Sequence, residues 1–327
     1  MKMRYSTLVV VLFLVQSLPG YSRVPDEFEA GGGHSLGFGN GGVAAVSGQN
    51  SVKTNPAMLA IEKQYTVSGV YHWPSYGRSF YQVGAVDSKT SAIAAGITYT
   101  AAKNKYESFL DAVDVDKREQ AYYDAPLRHR VNLGLGVAFS KLAAGLGLQY
   151  VEGYDRLKGL DSPVKGVAAG VGIAGLLTPN LRFGLAGENL VNDQVENLAP
   201  RVYRAGLAYI LFGGILTTHL DYTYRQRVQG ELVSYEQISA DPALDLTPSK
   251  EGNQQEQMAV ASTSIKVQDM LRLLASYGYD FSDARRQSIG GGIALVNQKA
   301  SLSYMVQRPY QTGKLHHGIA LAILMAL

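Results

Sequence analysis

Residues 128–153, "RHRVNLGLGVAFSKLAAGLGLQYVEG", decide the fold. In the first half Val131, Leu133, Leu135, Val137 and Phe139 alternate with Arg130, Asn132, Gly134, Gly136 and Ala138. In the second half Leu142, Ala144, Leu146, Leu148 and Tyr150 alternate with Ala143, Gly145, Gly147 and Gln149. A period of two is the spacing of a β-strand, with one apolar face and one small or polar face. Glycine weakens a strand unless something must pack closely against it, so two glycine-rich strands in succession are poorly suited to a soluble sheet.

The same alternation recurs along the rest of the chain in fourteen segments: 65–73, 78–87, 91–101, 129–140, 141–151, 165–178, 180–190, 201–211, 214–225, 256–266, 271–280, 287–296, 299–308 and 315–327. Most have the roughly ten-residue length that a tilted membrane strand requires. Their connections alternate as well. "DSKT", "SKL", "TPN", "FGG", "VQDM" and "NQK" are short, whereas 102–128, 152–164, 191–200 and 226–255 are long. Short periplasmic turns and long outer loops are the pattern of an outer-membrane barrel, and an even strand number leaves both chain ends on one side. The expectation is an all-β fold: a closed antiparallel transmembrane β-barrel of about fourteen strands.

Composition agrees. The chain has 36 Gly and 21 Tyr against one Trp, and no cysteine; its mean hydropathy is −0.04. Without cysteine there is no disulfide, thiolate metal site or cysteine nucleophile. At the N-terminus Lys2 and Arg4 precede the apolar run Leu8 to Val15, followed by Pro19, Gly20 and Ser22, the layout of a secretory signal peptide over 1–22. Loss of its two cations takes the formal charge from +3 to about +1, which offers no electrostatic footprint for nucleic acid.

Tyrosine placement orients the strands. Tyr71, Trp73, Tyr99, Tyr150, Tyr222, Tyr224, Tyr277, Tyr279 and Tyr304 fall in the later half of rising strands, at the outer end. They form the aromatic girdle expected where headgroups meet hydrocarbon. Tyr65 and Tyr209 fall at the other end. The opposite faces put small residues inward: Gly134, Gly136, Gly145, Gly147, Gly170 and Gly172 mark the lumen. Such a wall leaves room for a plug, and residues 23–62 are the segment available, ahead of a barrel over 63–327. Within it "GFGNGG" at 37–42 spells a dinucleotide fingerprint. It lacks the upstream strand and has only Glu62 in place of the ribose-binding acid, so Gly37, Gly39, Gly41 and Gly42 read as packing residues. Asn55 and Pro56 follow, set to cap and open a short helical turn.

"GFGNGGVAAVSGQNSVKTNPAMLA" (37–60) resembles the N-terminal pattern of FadL-like outer-membrane proteins, a glycine-rich stretch leading to Asn-Pro-Ala-x-Leu-Ala. Asn55, Pro56, Ala57, Leu59 and Ala60 match it. "LRFGLAGENLVN" (181–192), "PRVYRAGLAYIL" (200–211), "LRLLASYGYDF" (271–281) and "KLHHGIALAIL" (314–324) are similar to strand blocks of the same superfamily. The resemblance implies a fourteen-stranded barrel with an N-terminal hatch and passive uptake of hydrophobic, fatty-acid-like molecules, the hatch residues being Gly37, Gly39, Gly41, Gly42, Asn55, Pro56 and Ala57. The superfamily also holds PorV-type secretion partners, so the alternative is a barrel that binds exported protein. Partners on either reading are membrane lipid and, during biogenesis, the barrel-assembly machinery. No cofactor or metal is implied.

The chain departs from the fatty-acid transporters in its reduced outer loops. Loop 102–128 carries Tyr106, Phe109, Leu110 and Val113 at helical spacing, suited to a small amphipathic lid, while loop 226–255 is polar and acidic. Enzymatic motifs are missing: there is no G-x-S-x-G and no H-E-x-x-H. His316 and His317 point to opposite faces of a strand and cannot share a metal. Asp111, Asp114 and Asp116 lack the spacing of a calcium loop.

Overall fold

The computed structural model describes residues 42–45, 48–74, 79–103, 127–153, 163–192, 195–196, 198–230, 251–268, 270–281, 287–309 and 315–324. Two short helices come first, α1 (Gln49–Thr54) and α2 (Met58–Ile61). Fourteen strands follow: β1 (Tyr65–Pro74), β2 (Ser79–Asp87), β3 (Ile93–Lys103), β4 (Leu127–Phe139), β5 (Leu142–Gly153), β6 (Val164–Thr178), β7 (Leu181–Val191), β8 (Arg201–Leu211), β9 (Leu216–Gly230), β10 (Glu251–Gln268), β11 (Leu271–Asp280), β12 (Ser288–Val296), β13 (Ala300–Pro309) and β14 (His316–Leu324). Each pairs antiparallel with its chain neighbours, and β1 closes the sheet on β14 from Thr66↔Leu324 to Pro74↔His316. Closure removes every edge, the condition for a sheet in hydrocarbon, where an unpaired backbone group finds no water. Among the described residues no helix is long and apolar enough to cross a membrane.

The exterior is apolar all round. Leu133, Leu146, Val171, Leu220, Ile293 and Leu321 are exposed large hydrophobics, and their strand neighbours Asn132, Gly172, Asp221, Ala294 and Ala320 are buried. All nine aromatic girdle positions share the outward parity. They cluster: Tyr71 stacks on Trp73 and Tyr81 at centroid distances of 5.4 and 4.7 Å, and Trp73 stacks on His317 at 5.7 Å. Their hydroxyls find polar partners at the same rim. Tyr304 meets His317 Nδ1 at 2.8 Å, Tyr99 meets His129 Nδ1 at 2.7 Å, and Tyr277 donates to Gln287 at 3.0 Å. An apolar ring body with a bonded polar tip is what an interface selects.

The turns at the opposite end are tight. β4 passes to β5 through Ser140, with φ 59°, and β8 passes to β9 through a single 3-10 turn at Phe212–Gly214 whose Gly213 has φ 65°. Two boundaries differ from expectation by five residues, the others by at most two among the described residues. β9 runs to Gly230 and β10 starts at Glu251, with pairing from Glu251↔Gly230 inward. These ends are mostly polar in sequence, so no alternation marks them, yet backbone ladders need no apolar side chains. The residues 231–250 between them, the lid positions Tyr106, Phe109, Leu110 and Val113, and Asp111, Asp114 and Asp116 lie outside the described residues, as do 1–41 and Leu327.

Candidate functional site

Residues 42–45 and 48–62 pack against the inner face of the wall, with α1 and α2 on β2 to β7. The local sequence explains the shape of this inner segment. α1 ends at Thr54 because Asn55 precedes a proline, whose ring drives the preceding residue out of the helical region; Asn55 sits at φ −158°, ψ 96°. Pro56 and Ala57 turn the chain, and α2 starts at Met58 with Ala57 as its cap residue. Two residues further back Asn55 caps the turn that Pro56 opens, as the sequence suggested: its C=O accepts from Met58 N at 3.0 Å and its side chain accepts from the amide of Ala57. The Asn55 side chain is fully buried, its Oδ1 accepts from Ala57 N at 3.2 Å, and its Nδ2 donates to Val43 O at 3.1 Å and to Ile173 O of β6 at 3.2 Å. One side chain thus folds the segment on itself and ties it to the barrel.

The glycines of the wall face this segment. A Cβ on Gly145 would collide with the backbone of Pro56 and Ala57, and one on Gly172 with Asn55 Oδ1. A Cβ on Gly136 would lie 2.7 Å from Pro56 O, on Gly134 3.0 Å from Leu59 Cδ1, and on Gly147 3.8 Å from Pro56 Cγ. At Gly145 and Gly136 backbone meets backbone, which only glycine permits, whereas a Cβ at Gly147 would make ordinary contact. Gly170 differs: its Cβ would lie 2.5 Å from Gly187 O, on the neighbouring strand. Val52, Ala57, Met58, Leu59 and Ala60 fill the space so created, against Val86, Ala94, Ala143 and Ala174.

Polar anchors hold the segment elsewhere. Asp221 of β9 accepts from Gly42 N at 2.6 Å and Val43 N at 2.9 Å, with Gly206 leaving room beside it. At the other end Glu62 pairs with Arg182 at 2.6 Å, and Ser88 accepts from Gln64 N at 2.7 Å and donates to Glu62 O at 2.8 Å. Toward the loop end the lumen carries two buried ion pairs, Arg204 with Glu188 at 2.5 Å and Arg225 with Glu256 at 3.3 Å.

Beside Pro56 the wall itself is irregular. The β6–β7 ladder passes from Val171↔Gly187 to Ala169↔Val191, so β7 inserts two extra residues opposite Gly170. Asn189 there has φ 55° and donates to Pro200 O at 3.0 Å. A cavity of about 30 Å³ lies between this bulge and the inner segment, lined by Val52, Lys53, Pro56, Gln149, Gly170 and Glu188 among others. That is room for about two water molecules.

The sequence grouped Asn55, Pro56 and Ala57 with the lumen glycines, and the fold brings them into contact; Gly42 joins them through Asp221. Gly37, Gly39 and Gly41 lie outside the described residues. His316 turns inward and is buried while His317 faces out to Tyr304, so the two do not meet. Asp221, Glu188, Arg204 and Ser88 were not anticipated. For Asp221 a signal existed: "LDYTYRQR" (220–227) puts an acid on the inward parity of a strand.

Solved structures share this architecture. The fold is that of monoaromatic hydrocarbon channels. The toluene transporter TbuX of Ralstonia pickettii superposes with a TM-score of 0.59 at 14% identity, over 91% of this chain and 98% of its own. The CymD monoaromatic hydrocarbon channel gives 0.61 at 12% identity, over 91% and 97%. The P. putida toluene transporter TodX gives 0.57 at 12% identity, over 92% and 100%. At such identity the likeness is one of fold, and it matches the barrel implied by the FadL-like resemblance. No protein-family model matches the sequence, and no curated protein does. A closed barrel with an apolar exterior and an aromatic rim is an outer-membrane protein.

Proposed function

We propose that the protein is a channel for passive entry of hydrophobic small molecules across the outer membrane, gated by the segment 42–62. The observation that carries the reading is the meeting of this segment with a glycine and alanine wall beside the β7 bulge, around a cavity of about 30 Å³. A cavity of this size does not hold a hydrocarbon, so passage along this stretch of wall requires the segment to shift. Its polar fastenings at Asn55 and Asp221 are a few directed hydrogen bonds, which a shift of the segment would have to break. The toluene transporters and monoaromatic hydrocarbon channel that share the fold support an apolar cargo, and the FadL-like motif at Asn55 to Ala57 extends the class to fatty-acid-like molecules.

The test is uptake of radiolabelled toluene and of a long-chain fatty acid by cells carrying the wild-type barrel or a variant with Asn55 to Ala57 replaced. Changed uptake with an intact barrel is expected; unchanged uptake of both would defeat the gating role. Mass spectrometry of the purified barrel gives a second check. Enriched apolar ligand supports the channel, whereas a stoichiometric exported protein with no ligand would move the reading to a secretion partner.

A further inference from the structure

The turn end of the barrel divides into two arcs of different chemistry. Lys63 stands between α2 and β1, Lys89 in the β2–β3 turn, Lys141 in the β4–β5 turn and Lys299 in the β12–β13 turn, all exposed. Because β1 closes on β14, the four cations lie on one continuous arc from β12 round to β5. None of them forms an ion pair in the protein. The described acids at this end are engaged elsewhere: Asp87 accepts from the amides of Lys89 and Thr90 in its own turn, at 3.0 Å each, and Glu62 pairs with Arg182. The β6–β7 and β8–β9 turns carry no cation, and Phe212 stands there instead, 73% exposed. What the lysines border decides their partner. Lys141 lies between Phe139 and Leu142, and Lys299 between Leu295 and Leu302, all four apolar residues being exposed on the lipid-facing band. Lys89 precedes Ile93 of the same band. A cation one step beyond the hydrocarbon stands at headgroup level, with its aliphatic stem spanning the boundary. The far end has the opposite sign: residues 104–126 hold six acids against three cations, and 231–250 four acids against one.

We propose that this basic arc is a docking surface for the headgroups of anionic phospholipids in the leaflet at the turn end. An ammonium group with no protein partner attracts a lipid phosphate, and a zwitterionic headgroup competes poorly because it brings its own cation. Each cation beside an anionic leaflet strengthens attachment about fivefold. The four lysines act together, since lipids held against one stretch of wall meet several of them. The arc from β12 to β5 thus gathers a shell of anionic lipid, whereas the side from β6 to β9 meets its lipid through apolar turns. The inference concerns the lipid around the barrel and does not depend on the cargo inside it.

The experiment reconstitutes the barrel, purified from membranes, in nanodiscs of equimolar phosphatidylglycerol and phosphatidylcholine, and counts by native mass spectrometry the lipids that stay on it. Phosphatidylglycerol is expected to outnumber phosphatidylcholine on the wild type. K141Q/K299Q should lose most of that excess, and K141R/K299R, which keeps the charge, should retain it. K165Q/R201Q removes two exposed charges at the loop end and should match the wild type. The heat-modifiable band on gels shows that each barrel is folded. If the glutamine pair does not fold, K141Q and K299Q are read singly, each with a partial loss. A wild type without a phosphatidylglycerol excess, a folded glutamine variant that keeps it in full, or an equal loss in K165Q/R201Q would overturn the proposal.

Discussion

The wall from β4 to β8 and the wall from β10 to β14 look alike from the membrane and unlike from inside. Outside, both present leucine, isoleucine, valine and a tyrosine rim, because the same lipid touches both. Inside, the first is glycine and alanine where the inner segment presses on it, as at Gly136, Gly145 and Gly172. The second mixes polar and apolar side chains, with Ser262, Ser276, Ser303, Gln307 and His316 buried beside Val260, Leu274, Ala294, Met305 and Ala320. Outward composition follows from the solvent, which is uniform. Inward composition follows from what lies opposite, and that changes around the barrel.

The strongest way to break this contrast is to add one methyl group to each face. Gly145→Ala should displace the inner segment, because its Cβ would strike Pro56 and Ala57 backbone that cannot yield. Limited trypsin cleavage at Lys53 should then become fast. The same change at the outward Gly69, which has open space around it, should leave cleavage slow; equal protection in both variants would refute the close approach. Next in size, Glu188→Ala removes the carboxylate paired with the buried Arg204 guanidinium, which keeps its bond to Thr223 Oγ1, and is expected to cost about 3 kcal/mol. Thermal unfolding in detergent would show it, with Glu188→Gln milder.

Asn55→Ala sharpens the comparison on the segment side. It removes bonds to Val43 O, Ile173 O and Ala57 N, for an expected loss of about 1–3 kcal/mol. Hydrogen exchange at the amide of Ala57 should speed up while that of β11 amides stays unchanged. The smallest effect belongs to Arg182→Ala. Its pair with Glu62 is partly open to solvent and is worth about 0–1 kcal/mol. A melting point shifted as far as that of Glu188→Ala would contradict this ranking.

The strand count and the two faces of each strand were legible because lipid imposes a strict period of two, visible in single stretches such as 131–139 or 142–150. The lumen glycines were legible for the same reason, as small residues on the inward parity. The ends of β9 and β10 were not: residues 226–230 and 251–255 continue the ladder, and a mostly polar sequence leaves no period to read. α1 escaped as well, a six-residue helix whose stability comes from the wall rather than from its own sequence. The motif at Asn55 to Ala57 was visible as a motif, but the reading as a helix cap missed its bond to Ile173, a residue 118 positions away.

By itself the sequence determined the barrel, its closure, its membrane face and its aromatic rim, since each of these is a response to a solvent that every strand meets locally. Only the tertiary structure decided that Asp221 grips Gly42 and Val43, that Glu188 pairs with Arg204, and that β7 bulges beside Pro56. These depend on which strands curve round to face one another across a lumen, and residues far apart in the chain carry no local mark of that meeting.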